Sequence, residues 1–117
     1  MSTSNGDQNL PWHEVALRDQ LDADFPLGVE VDGQKLGLFL LGEEVHALED
    51  VCPHAYALLS QGFQEGGVIE CPLHAARFDI ATGKCMADIG QRDLHHYPVR
   101  VLGGKVQVQM PVLLVQT

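Results

Sequence analysis

The chain has 117 residues, 45% of them hydrophobic, and seven Lys and Arg against sixteen Asp and Glu give it a formal charge of −9. That length suits one domain with a modest core, and the acidic balance repels nucleic acid and anionic membrane while suiting plain solubility or a basic protein partner. No run reaches the ~18 apolar residues of a membrane span, and the polar start "MSTSNGDQNLPW" lacks the basic-then-apolar order of a secretory signal, so residues 1–10 are expected to be a flexible lead-in and the compartment the cytoplasm.

Trp12 to Ala16 predicts a first strand, and "ALRDQLDAD" holds at most a helical turn. "GVEVDGQKLGLFLLGEEVHALED" then gives the clearest pattern. Val29 and Val31 lead into an Asp32-Gly33 hairpin signal. Leu36 to Leu41 predicts a buried strand, and Gly42-Glu43-Glu44 turns into Val45 to Leu48. Between Asp50 and Asp88 the alternation breaks and Pro, Gly, Cys and His become dense. Two strand-like pieces remain there, Val68 to Glu70 and Arg77 to Ile80, with a turn at Thr82-Gly83. Near the end, Val99 and Val101 alternate with polar neighbours, Gly103-Gly104 turns the chain, and Val106, Val108 and Met110 alternate on the return. Short strands with regular turns and no long amphipathic helix predict an all-β, antiparallel sandwich or barrel-like base. A small β subdomain at about 50–88 carries two loops. Residues 11–112 form the single domain, followed by a tail at 113–117.

The loops hold the chemistry. Cys52-Pro53-His54 and Cys71-Pro72-Leu73-His74 are two short Cys/His pairs separated by sixteen residues. Such spacings let both side chains of a loop reach one centre, and Pro53 and Pro72 stiffen the backbone beside each cysteine. Two sulfur and two nitrogen donors suit zinc or an iron–sulfur centre. Three cysteines in a chain of this kind do not suggest a disulfide framework.

The pattern Cys52-x-His54…Cys71-x-x-His74 resembles the ligand set of Rieske iron–sulfur proteins, and "RFDIATGKC" and "HYPVRVLGGKVQV" extend the resemblance over roughly Trp12 to Met110. It implies one [2Fe-2S] cluster, with Cys52 and Cys71 on the inner iron and His54 and His74 on the outer iron near the surface. It also implies a one-electron carrier rather than an enzyme, similar to the ferredoxin component of aromatic ring-hydroxylating dioxygenases. Such a carrier takes electrons from an NADH-dependent flavin reductase and passes them to a terminal oxygenase with its own Rieske centre. Pro53, Ala55, Tyr56, Leu73 and Ala75 would flank the exit point as a docking surface, and the carrier is expected to be a monomer. Alternatives are the ferredoxin of a multicomponent monooxygenase, a small Rieske-like subunit of a nitrite reductase complex, and a structural zinc site.

Two thiolates cancel the charge of the oxidised cluster core, so reduction adds one negative charge to a neutral centre, whereas four thiolates would start doubly negative. Histidine ligation therefore raises the potential. Within the family, high-potential members carry a disulfide between the loops and hydroxyls that donate to sulfur. Here the corresponding positions are Ala57 and Leu73, and Ala76 and Phe78, which predicts a midpoint near the low end, roughly −150 mV, almost flat around pH 7. Two departures stand out. Ala55 and Ala75 follow the histidines where Gly is usual, and the third loop, "MADIGQRDL" with Asp88, Ile89 and Gly90, has no proline, so it is expected to be looser or held by side-chain contacts. Cys85 reads as a strand residue, His95 and His96 as neighbours facing opposite sides of a strand, and His13 and His46 as surface or boundary residues. No glycine-rich phosphate loop, flavin domain or second iron site is legible, so the chain has no evident means of using its electron on a substrate.

Overall fold

The computed structural model describes residues 10–52, 57–73, 76–86 and 92–110; the expected lead-in up to residue 9 and the expected tail at 113–117 lie outside the described residues. Strand β1 (Trp12–Leu17) runs one residue beyond its expected end, and the weak helical signal after it comes to a single 3-10 turn, Arg18–Gln20. β2 (Leu27–Val31) and β3 (Gln34–Leu41) make the expected hairpin. Its two turn residues, Asp32 and Gly33, have φ of 50° and 83°, the conformation of a type I′ turn, whose twist matches that of the strands it joins. β4 (Glu44–Glu49) follows a second tight turn that opens on Gly42.

Three short strands come next: β5 (Phe63–Glu65), β6 (Val68–Glu70) and β7 (Arg77–Asp79). β7 ends one residue earlier than the sequence suggests. The Asp79 carboxylate accepts from the Thr82 amide (3.1 Å) and hydroxyl (2.7 Å), which curls the chain into a turn at Ile80. β8 (His96–Tyr97), β9 (Val99–Leu102) and β10 (Lys105–Gln109) close the described chain.

These strands form three antiparallel sheets, ordered β1-β10-β9, β2-β3-β4-β8 and β5-β6-β7. Pro98 lies between β8 and β9, where the chain leaves one sheet of the base for the other, and its carbonyl accepts from the Gln109 amide. The missing amide hydrogen of proline costs nothing at such a switch. The fold is thus the all-β architecture expected, a two-sheet base with a small three-stranded sheet added. No helix among the described residues is long and apolar enough to cross a membrane.

The side chains bury in two clusters. The base cluster takes Val31, Leu36, Leu38, Leu40, Ala47, Val106, Val108 and Met110, and the second gathers Phe39, Leu48, Leu59, Ile69, Phe78, Ile80 and Leu94 with Cys52 and Cys71. β3 serves both: Leu36, Leu38 and Leu40 face the base, and Phe39 faces the second cluster. This double burial explains why the strand reads as a continuous apolar run instead of an alternation. Val101, which alternates with polar neighbours in the sequence, is not buried. It shares a pair with the fully buried Val106, yet β9 is an edge strand and Val101 stays 41% exposed.

Candidate metal centre

The two cysteine loops are built alike. Beyond β4 the chain makes a bridge between Val51 and Leu58, and inside it the Cys52 amide donates to the Ala57 carbonyl at 2.8 Å. Beyond β6, where Glu70 pairs with Arg77 of β7, the Cys71 amide donates to the Ala76 carbonyl, also at 2.8 Å. Each cysteine therefore opens a loop closed by a bond to the residue five positions on. The four residues between carry His54 in one loop and His74 in the other. Both histidines lie outside the described residues, as do Pro53, Ala55, Tyr56 and Ala75 of the expected docking surface. Leu73 is described and stands 67% exposed beside the buried Cys71.

Both cysteines are buried, 0% and 1% exposed, in the same hydrocarbon cluster. A buried cysteine alone is an ordinary small hydrophobe. Two at the mouths of equivalent loops, each with a histidine two or three positions on in the sequence, bring two sulfur donors to one apolar cluster, and the sequence beside them offers two nitrogen donors, the donor types of a Rieske cluster. No disulfide links the three cysteines. Ala57 packs half-buried on the second cluster while Leu73 is exposed, and Ala76 and Phe78 are buried without a hydroxyl. The four positions expected to match the disulfide and hydroxyls of high-potential Rieske proteins are thus apolar here.

Several residues that fix the loops carry no mark in the sequence. Asp50 is 2% exposed, and its two carboxylate oxygens accept from the Ser60 amide and the Ser60 hydroxyl, both at 2.6 Å. Burial pushes its carboxyl up, an effect the Ser60 bonds and the Lys35 charge only partly oppose. Gly62 has no room for a side chain, because a Cβ there would collide with the carbonyl oxygen of Glu70, the residue just before Cys71.

The third loop is pinned at its flanks. The Asp93 carboxylate accepts from the Cys85 amide at 2.8 Å, and the Leu94 amide donates to the Gly83 carbonyl at 2.7 Å. Arg92 reaches back to β4 with two bonds of 2.7 Å to the Glu49 carboxylate, which also accepts from the His95 amide. Burial opposes the charge on Glu49, but the Arg92 guanidinium and the His95 amide outweigh it and hold the carboxyl below its ordinary range. Residues 87–91, with Asp88, Ile89 and Gly90, lie outside the described residues.

The other candidates settle into ordinary places. Cys85 is half-buried, bridges Phe78 and packs on the second cluster. His95 precedes β8, so only His96 of that pair is a strand residue, and both are exposed. His96 tilts toward His46 with ring centroids 6.2 Å apart, and the partial loss of water around its ring, followed by the His46 charge, lowers its pKa. Among the described residues, no group of three or more His, Cys, Asp or Glu could hold a metal ion.

Residues 11–98 match the family described as the Rieske [2Fe-2S] domain. The ferredoxin component of the naphthalene 1,2-dioxygenase system of Pseudomonas putida is 40% identical over 102 residues, covering 86% of this chain and 97% of its own. The ferredoxin of Sphingomonas yanoikuyae B1 superposes with a TM-score of 0.81 at 30% identity, over 86% of this chain and all of that one. A chain from the complex of reduced oxygenase and oxidized ferredoxin in carbazole 1,9a-dioxygenase gives 0.78 at 31% identity, over 86% and 94%. With this fold, these paired loops and relatives matched along almost their whole length, the chain belongs to the Rieske [2Fe-2S] domain family, as an electron-transfer protein with one Rieske-type cluster and not an enzyme.

Proposed function

We propose that Cys52, His54, Cys71 and His74 hold the cluster, with the cysteines on the buried iron and the histidines on the outer one. The observation that carries this reading is the equivalence of the two loops: each starts at a buried cysteine of one apolar cluster, each is closed by an amide bond to the fifth residue on, and each contains one histidine. The bound cluster supplies one-electron chemistry at a centre whose potential its ligands and surroundings set. The protein's own part is to keep water from the sulfur end, behind Phe39, Leu59, Ile69 and Phe78, and to hold the two loops in register.

The electron comes from an NADH-dependent flavin reductase and goes to the Rieske centre of a terminal oxygenase that hydroxylates aromatic rings, in the cytoplasm. The names of the relatives support this role: one is the ferredoxin component of a naphthalene dioxygenase system, and another was seen with its oxygenase. The carrier works as a monomer, docking briefly through the exposed Leu73 and its neighbours Pro53, Ala55, Tyr56 and Ala75. A small interface suits an encounter that must end after each electron.

The test is purification without oxygen, followed by visible and EPR spectra of the dithionite-reduced protein, for the wild type and for His54→Cys. A brown protein with a Rieske-type signal that the substitution alters supports the ligand set. A colourless zinc protein would refute it. A coloured protein that no reductase–oxygenase pair can oxidise or reduce would shift the role to a subunit of another reductase complex.

A further inference from the structure

Gly28 of β2 and Gly37 of β3 face each other directly in the hairpin register. Both lack a side chain at the same spot for the same reason. A Cβ on Gly28 would lie 2.8 Å from the Ser60 hydroxyl and 3.2 Å from the Asp50 carboxylate. One on Gly37 would lie 2.8 Å from the Phe39 ring and 3.0 Å from the other Asp50 oxygen. The paired glycines thus leave a slot in the sheet, and the Asp50–Ser60 pair fills it.

Asp50 is tied to its surroundings at every polar atom. Its amide donates to the Lys35 carbonyl of β3 (3.0 Å), its carbonyl accepts from the Leu59 amide (2.7 Å), and each carboxylate oxygen accepts one bond from Ser60. The three rungs Asp50–Leu59, Val51–Leu58 and Cys52–Ala57 then rise in order from the slot to the cysteine. The first cysteine loop is zipped from its foot, and the foot is keyed into the base sheet.

We infer that the Asp50–Ser60 pair, seated in the Gly28/Gly37 slot, positions Cys52 against the second cysteine loop and so sets how firmly, and in what geometry, the cluster is held. These four residues are positioning residues: none is expected to touch the cluster. The inference rests on Cys52 being a ligand. It goes beyond that assignment by giving residues on β2 and β3 a say in the cluster's properties.

The experiment uses the cluster-loaded protein with Ser60→Ala, which removes one bond, and Gly28→Ala, which forces the Ser60 hydroxyl aside from another strand. Asp50→Asn, which keeps the shape and can still bond to Ser60, is the conservative variant. Loss of visible absorbance to a chelator, the g-values of the reduced EPR signal and the midpoint potential are read for each. Losing one buried bond to a carboxylate predicts roughly ten- to hundredfold faster loss of absorbance for Ser60→Ala. Altered g-values are expected for both Ser60→Ala and Gly28→Ala, with Asp50→Asn closer to the wild type. Variants that melt earlier but keep the wild-type g-values, potential and chelation rate would overturn the inference and leave the pair a stabiliser of the base alone. Cys52→Ser is the control: a wild-type spectrum in that variant would refute the ligand assignment itself, a separate failure.

Discussion

Gly62→Ala tests how closely the two cysteine loops are coupled. Gly62 ends the 3-10 turn that follows the first loop, and the space its missing Cβ would occupy is taken by the Glu70 carbonyl, one residue before Cys71. Glu70 cannot give way freely, because it is paired with Phe63 on one side and Arg77 on the other, at the centre of the small sheet. The obstacle is backbone, not a rotatable side chain, so the cost lies toward the top of the overpacking range, about 3 kcal/mol. For a domain of this size, that lowers the melting temperature by roughly 10–15 °C. Gly67→Ala is the matched control. It lies in the β5–β6 turn of the same sheet, a Cβ there meets nothing within 4 Å, and its φ is not in the left-handed region. Thermal melts followed at once by far-UV circular dichroism and by cluster absorbance are the assay. Gly67→Ala should melt within about 1 kcal/mol of the wild type, and Gly62→Ala should lose cluster and fold together at a much lower temperature. Equal melting temperatures for the two variants would refute the claim that Gly62 is required for contact between the loops.

Three further outcomes are expected. Spectroelectrochemistry should give a midpoint near roughly −150 mV, almost unchanged around pH 7, and Ala76→Ser combined with Phe78→Tyr should raise it; a wild-type value above about zero would contradict the assignment of those positions. Glu49→Gln should cost about 1 kcal/mol, the two-pronged bond to Arg92 being discounted because the arginine is half exposed. The Glu49 carboxyl lies below its ordinary value of 4.5, so its stabilisation is fully present above that value and fades as the pH falls through the folded-state value. Denaturant melts of the wild type and Glu49→Gln should therefore differ at pH 7 and converge in acid. Cys85→Ser should leave the visible and EPR spectra unchanged, whereas Cys71→Ser should abolish them; loss of cluster in the Cys85 variant would give that thiol a role it is not assigned.

What could be read from the sequence was what short-range chemistry determines. Asp32-Gly33 and Gly103-Gly104 announce turns because positive φ is a demand on single residues. The Cys/His pairs are legible because both partners of a pair lie within three positions. Residues that act across the fold left no such trace. Asp50 and Ser60 are ten positions apart, Glu49 and Arg92 forty-three, and nothing local joins them. Gly28, Gly37 and Gly62 look like any strand or loop glycine until the opposing atoms are known. The missing proline in "MADIGQRDL" hinted that other contacts fix the third loop, and at its flanks Asp93 and Arg92 supply them. The exposure of Val101 was not legible for a related reason: alternation tells which face a side chain takes, but not that the strand lies at the edge of its sheet.

Because Leu38 and Phe39 are adjacent on β3 and are buried in different clusters, the strand is a wall common to both halves of the molecule. Melting either half would strip the packing from one face of that strand. Unfolding should therefore be a single cooperative event, with colour and secondary structure lost at the same temperature. The same stiffness serves the traffic of charge. Among the described residues, base and second cluster share this one strand, which leaves few scaffold atoms free to rearrange when an electron arrives or leaves, so little of the driving force is spent on moving protein.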